Sequence, residues 1–177
     1  MWGPFSISIK GGSGYYVSFI NDYICYYWVY IMKHCFDFLS IYNIFQTHVK
    51  TQHSVVVKCL KCDLGGKYTF NAFCELLASH GTIHHIFCID TLEQNGVVKR
   101  KYRHISKIVH FLLLSACVPI ELWGKVILTT IHLINKIPSS YTFGLSSFEK
   151  LYAYILDYYS IRVFWLYLFC SSFSCKA

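Results

Sequence analysis

A chain of 177 residues is long enough for one domain with a sizeable core. Its composition is 55% hydrophobic, 19% aromatic and only 14% charged, and the mean hydropathy of +0.40 raises the question of a membrane. Yet no window holds the roughly 18 uncharged apolar residues that cross a bilayer, and the N-terminus lacks the basic-then-apolar pattern of a signal peptide.

Sixteen lysines and arginines against nine acids give a net charge of +7, with nine histidines in reserve. That balance suits a polyanionic partner without identifying one. Nine cysteines in a chain with no secretory signal read as reduced thiols of an intracellular protein.

In chain order, Gly11-Gly12-Ser13-Gly14 is a turn leading into a strand at Tyr15–Asn21. A second strand at Cys25–Lys33 completes an antiparallel hairpin, with Asp22 as a turn residue. Phe38, Ile41, Tyr42, Phe45 and Val49 form one apolar helical stripe. Val55–Cys62, short and β-branched, reads as a buried strand ending at Asp63 and the Gly65-Gly66 pair. A short helix carries Phe73, Leu76 and Leu77 inward and stops near Gly81, which suits a C-cap.

Thr82–Cys88 is the last predicted strand, followed by a loop over Ile89–Asn95. A long helix then runs from Gly96 to Cys117 with Ile105, Ile108, Val109, Leu112 and Leu113 on its apolar stripe. Pro119 opens another helix with Leu122, Trp123, Val126, Ile127, Thr130 and Leu133 inward, closed by Pro138 and Ser139-Ser140. Val163–Phe173 is apolar but interrupted on its N-terminal side by Asp157 and Arg162, so it reads as a buried segment rather than an anchor. Strand-like and helix-like segments in alternation predict an α/β architecture. There is no internal repeat and nothing of low complexity.

Several residues invite chemistry and resist it. Cys59-Leu60-Lys61-Cys62 has the spacing of half a zinc site, but positions i and i+3 of a strand point to opposite faces and no second CxxC exists. His84-His85 and His80 suggest a metal cluster, yet adjacent strand residues also face opposite ways. Lys99, Arg100, Lys101, Arg103 and Lys107 place five cations within nine residues at the start of the long helix. They form either a phosphate-contacting surface, with weak and salt-sensitive binding of no sequence preference, or an ordinary solvated helix face.

Four stretches, in order, resemble the catalytic core of copia-type retrotransposon integrases. They are Trp2-Gly3-Pro4, Phe19-Ile20-Asn21-Asp22-Tyr23, Asp63-Leu64-Gly65-Gly66-Lys67-Tyr68, and the run from Gln94-Asn95-Gly96 to Arg103. The similarity continues through Leu112–Ala116, Trp123-Gly124, Leu133-Ile134-Asn135 and Arg162-Val163-Phe164, so it covers nearly the whole chain.

The resemblance implies an RNase H-like mixed sheet flanked by helices. It implies residues 1–137 as an integrase catalytic core lacking its first central strand, and 138–177 as a degenerate extension of that core. The family processes and transfers DNA 3′ ends with two aspartates and a glutamate that hold Mg²⁺ ions. Two cations clamp the attacking and leaving oxygens of an in-line displacement, and hard cations prefer carboxylate ligands.

Carried over by position, Asp63 matches the second aspartate and is the one remaining catalytic and metal-binding position. The first aspartate falls two residues before Trp2, and the glutamate falls at Lys99, with thirty-five residues between Asp63 and Lys99. A lysine there puts an ammonium where metal charge must sit, and it accepts no hydrogen bond when charged. Neither Glu75, Asp90 nor Glu93 matches a ligand position. Leu92, Lys67 and Lys99 depart from the family's residues in the direction expected of an element mutating without selection.

The expectation is therefore a catalytically dead remnant with no bound metal. Its expected partners are DNA, bound weakly, and integrase itself through unpaired sheet edges; no membrane is expected. Any surviving family role implies the nucleus. Loss of a central strand further predicts a marginal or aggregating domain.

Overall fold

A computed structural model of the chain describes residues 12, 14–62, 71–86 and 92–158, with the side chains of 92–99 and of Tyr141 outside the description. The elements in order are β1 (Tyr15–Ile20), β2 (Tyr27–Met32), α1 (Phe38–His53), β3 (Cys59–Cys62), α2 (Asn71–Ser79), β4 (Ile83–Ile86), α3 (Leu92–Ser115), α4 (Trp123–Lys136) and α5 (Ser147–Tyr152). Among the described residues, those up to Lys33 together with those from Ile105 on form one compact unit, and those within His34–His104 form another. The strands among the described residues pair in two ladders, β1 with β2 and β3 with β4, and Pro138 and Ser146 form an isolated antiparallel bridge.

In the first unit β1 and β2 make the expected antiparallel hairpin, in register from Tyr15 opposite Met32 to Ile20 opposite Tyr27. Aromatic and β-branched residues favour a pleated, half-buried surface, and Tyr16, Val17, Phe19, Tyr27 and Met32 are buried. The turn is held by Asn21, whose Oδ1 accepts from the backbone N–H of Tyr23 (2.9 Å) and of Ile24 (3.0 Å). This is an Asx turn, in which a short side chain stands in for a backbone carbonyl. Asp22 lies in the turn as expected, exposed.

Pro119 leads into a single 3-10 turn at Ile120–Leu122 before α4 begins. Trp123, Val126, Ile127 and Thr130 face inward as predicted, joined by Ile131 and Asn135. Asn135 ties α4 to the hairpin: its Oδ1 accepts from Tyr27 N–H (2.9 Å) and its Nδ2 donates to Tyr27 O (2.8 Å). α5 opens with a capping box in which Ser146 Oγ accepts from Glu149 N–H (3.1 Å) and Glu149 accepts from Ser146 N–H (2.8 Å).

In the second unit α1 buries Phe38, Tyr42, Phe45 and Val49 on its predicted stripe, with Gln46 added. Phe73 of α2 packs on this face, its ring centroid 5.1 Å from Phe38 and 5.3 Å from Tyr42. Gln46 Nε2 donates to Tyr42 Oη (2.7 Å) and Thr82 Oγ1 (3.1 Å), and Thr82 donates on to Val57 O (2.9 Å). That chain satisfies buried polar groups that are costly to leave unpaired. Gly81, at φ +66°, ends the turn after α2 as anticipated.

Two expectations change. The strand read over Val55–Cys62 is formed only at Cys59–Cys62, and Val55 and Val56 are 53% and 50% exposed rather than buried. α3 starts at Leu92, inside the segment read as a loop. The strand expected over Thr82–Cys88 is seen at Ile83–Ile86, parallel to β3, and residues 87 and 88 lie outside the described residues. No described helix is long and apolar enough to cross a membrane; Val163–Phe173 lies outside the described residues.

Candidate nucleic-acid interface

α3 carries the basic cluster. Arg100, Arg103 and Lys107 are exposed and fall at i, i+3 and i+7, so they share one helical stripe. Lys101 is half-buried and engaged with other groups. Ile105 and Val109, 1% and 6% exposed, fix the opposite face inward and so turn the cations outward. From Arg100 to Ser115 the helix contains no acid, so no carboxylate on α3 itself neutralises the stripe at i±3 or i±4. His104 and His110 extend the same exposed surface. Lys99 lies on the α3 backbone, and its side chain is outside the described residues.

Asp63 also lies outside the described residues, directly after the end of β3. What precedes it is clear: Cys62 stands opposite Ile86 in the parallel ladder, and its Sγ is 2.8 Å from His84 Nε2. His84 sits edge-on to the Phe73 ring at 5.7 Å. Desolvation and then the neighbouring His85 hold its pKa below the ordinary imidazole value. The alternation expected of strands is visible here, with His84 half-buried and His85 exposed, and Cys62 half-buried and Cys59 exposed.

Glu75 is exposed on α2, while Asp90 and the Glu93 side chain are outside the description. Among the described residues no three His, Cys, Asp or Glu side chains converge as ligands for a metal ion.

One cationic group away from α3 went unrecognised in the sequence. Lys150 Nζ of α5 lies 5.9 Å from the centroid of the Tyr23 ring and 5.2 Å from that of Phe143. The three residues are 120 or more positions apart at the extremes, and no periodic pattern links a hairpin turn to a helix so distant in sequence.

No protein-family model matches the chain. Among curated proteins it is 36% identical, over 137 residues and 77% of its length, to the retrovirus-related Pol polyprotein from transposon TNT 1-94 of Nicotiana tabacum. It is 30% and 29% identical, over 85% of its length, to the corresponding polyproteins from transposons RE2 and RE1 of Arabidopsis thaliana. In each case it spans about a tenth of the relative's length, 10%. Among solved structures it superposes on the HTLV-2 integrase catalytic core domain, determined in complex with magnesium in a trimeric form. That match has a TM-score of 0.56 at 15% identity, covering 75% of this chain and 81% of that one. The ordered motifs, the polyprotein relatives and the shared fold converge: the chain is a segment homologous to copia-type retrotransposon Pol polyproteins, with the RNase H-like α/β fold of an integrase catalytic core.

Proposed function

We propose that this segment is an integrase-core remnant that no longer transfers DNA strands and that holds duplex DNA weakly through α3. Residues 1–137 correspond in this reading to the core and 138–177 to its extension, with Asp63 at the position of the family's second aspartate. The observation that carries the loss of chemistry is Lys99, at the position matching the family's glutamate. An ammonium there repels the cations that the displacement requires and takes the place of one of the three carboxylates that hold them. Titrated with Mn²⁺ and followed by the free-ion resonance signal, the chain shows no saturable site below the millimolar range; a stoichiometric site would overturn this reading.

The retained contact rests on the exposed Arg100–Arg103–Lys107 stripe. Phosphate neutralisation releases counterions, giving affinity without sequence information and a steep salt dependence. In fluorescence anisotropy with duplex DNA, replacing all three by Gln lowers the slope of log affinity against log salt by about 2.7, on the order of 0.9 per phosphate contact. An unchanged slope assigns the binding elsewhere and contradicts the proposal.

A further inference from the structure

We propose that the surface formed by Tyr23, Phe143 and Lys150 is a binding site for single-stranded polynucleotide, distinct from the duplex-contacting face of α3. Its two rings are left almost wholly in water, Phe143 at 91% and Tyr23 at 87% exposure, and both flank the same ammonium.

The backbone beneath each ring is held in place. Phe143 has φ +58°, a left-handed conformation that bulky residues seldom adopt and that persists only where its surroundings enforce it. The enforcement is visible. Thr142, fully buried, has its hydroxyl within hydrogen-bond reach of both Ser139 O (2.9 Å) and Leu145 O, either of which can accept its one proton, and Gly144 N–H closes onto Ser139 O (3.1 Å). Tyr23 is fixed by the Asx turn, its N–H bonded to Asn21 Oδ1. Lys150 stands one residue beyond Glu149, whose carboxylate already accepts from Ser146 N–H, Ser146 Oγ–H and Leu156 N–H. The adjacent acid is therefore committed to other donors. A second cation, Lys136, lies 5.6 Å from the Phe148 ring on the neighbouring helices α4 and α5.

The ligand follows from this chemistry. Two exposed aromatic rings flanking one ammonium match a molecule that alternates planar rings with anions. Bases stack on aromatic side chains irrespective of sequence, and lysine meets the phosphates between them. A duplex keeps its base faces within its own stack and cannot offer them. An apolar peptide would strand the ammonium without water or counter-charge.

The test is fluorescence anisotropy of the full chain with labelled oligothymidine of about fifteen nucleotides and with duplex of equal length. Phe143→Asn keeps a residue that tolerates the left-handed turn and removes only the ring. That variant and Tyr23→Ser should each weaken single-strand binding by at least about fivefold and leave duplex binding unchanged. Lys150→Gln should lower the single-strand salt slope by about 0.7. In the Arg100, Arg103 and Lys107 triple-Gln variant, duplex binding falls while the dependence on Phe143 persists, which separates this site from the α3 reading. Single-strand affinity indifferent to both rings, or equal losses on duplex and single strand, would overturn the proposal. So would an absence of oligothymidine binding by the unsubstituted chain. Photo-crosslinking with bromodeoxyuridine supplies an independent check: adducts map to the peptides holding Tyr23 and Phe143, and adducts confined to α3 would overturn it.

Discussion

Asn135 presents both halves of its amide to the backbone of Tyr27, so one side chain on α4 completes the hydrogen bonding of a strand residue in β2. Replacing it by Ala leaves a buried N–H and a buried C=O unpaired, each costing about 1–3 kcal/mol. Asn135→Ala is therefore expected to lose roughly 2–4 kcal/mol in urea denaturation read by tryptophan fluorescence. A loss within experimental error would mean that the helix and hairpin are held by packing alone. In the sequence this residue belongs to a family-like stretch and interrupts an apolar stripe, but its contact is not legible, because periodicity identifies a face and not the partner across from it.

Histidines set a pH dependence at the same scale. Desolvation, then His48, depresses the pKa of His53, and desolvation, then His85, depresses that of His84. A histidine whose folded pKa lies below its unfolded value stabilises above the unfolded pKa and loses that stability as the pH falls. Between pH 7.5 and 5.5 the melting temperature should drop, and His53→Gln should flatten the drop. The Glu149 carboxylate, held below its usual range by Ser146 and then Leu156, titrates beneath that window. A melting temperature that rises on acidification contradicts the assignment.

At the scale of elements, α1 and α4 were legible because their apolar residues recur at helical spacing, and those residues are buried. The hairpin was legible from two β-rich runs flanking a short polar turn. Val55–Val57 misled because three β-branched residues show a preference for extended backbone but supply no strand to pair with and no layer to cover them. α3 begins at Leu92, ahead of Gly96, where no apolar repeat in the sequence marks its first turn. Burial differs sharply between the two ladders: β1 hides Tyr16, Val17 and Phe19, whereas Ile83 of β4 is 60% exposed and β3 has no buried residue. Amides with few apolar neighbours open at low free energy. In hydrogen exchange the β3–β4 amides should exchange at least about tenfold faster than those of β1–β2. Equal protection would show that both ladders open together.

For the whole molecule, composition announced an apolar, cationic chain, and the structure shows where those properties lie. Arg100, Arg103 and Lys107 line α3 and Lys150 flanks the Tyr23 and Phe143 rings, while Phe36, Phe111, Leu114, Phe143 and Ile155 are more than two-thirds exposed at 86%, 68%, 78%, 91% and 85%. Surface of that kind promotes association. Sedimentation velocity is expected to show self-association rising with concentration, and a monomer with a single cooperative melting transition would contradict the marginal stability inferred from the sequence. Of the candidate site, the basic helix was legible as a local run of charge. The single-strand surface was not, since its parts meet only in three dimensions.

The proposed loss of strand-transfer chemistry from an integrase-core fold is decided by a strand-transfer assay in Mg²⁺ or Mn²⁺. Three proteins are compared: the chain itself, its Lys99→Glu variant, and that variant preceded by the aspartate-bearing strand that the resemblance places before Trp2. Product from the third protein alone is the predicted result, and product from the unaltered chain would contradict the account.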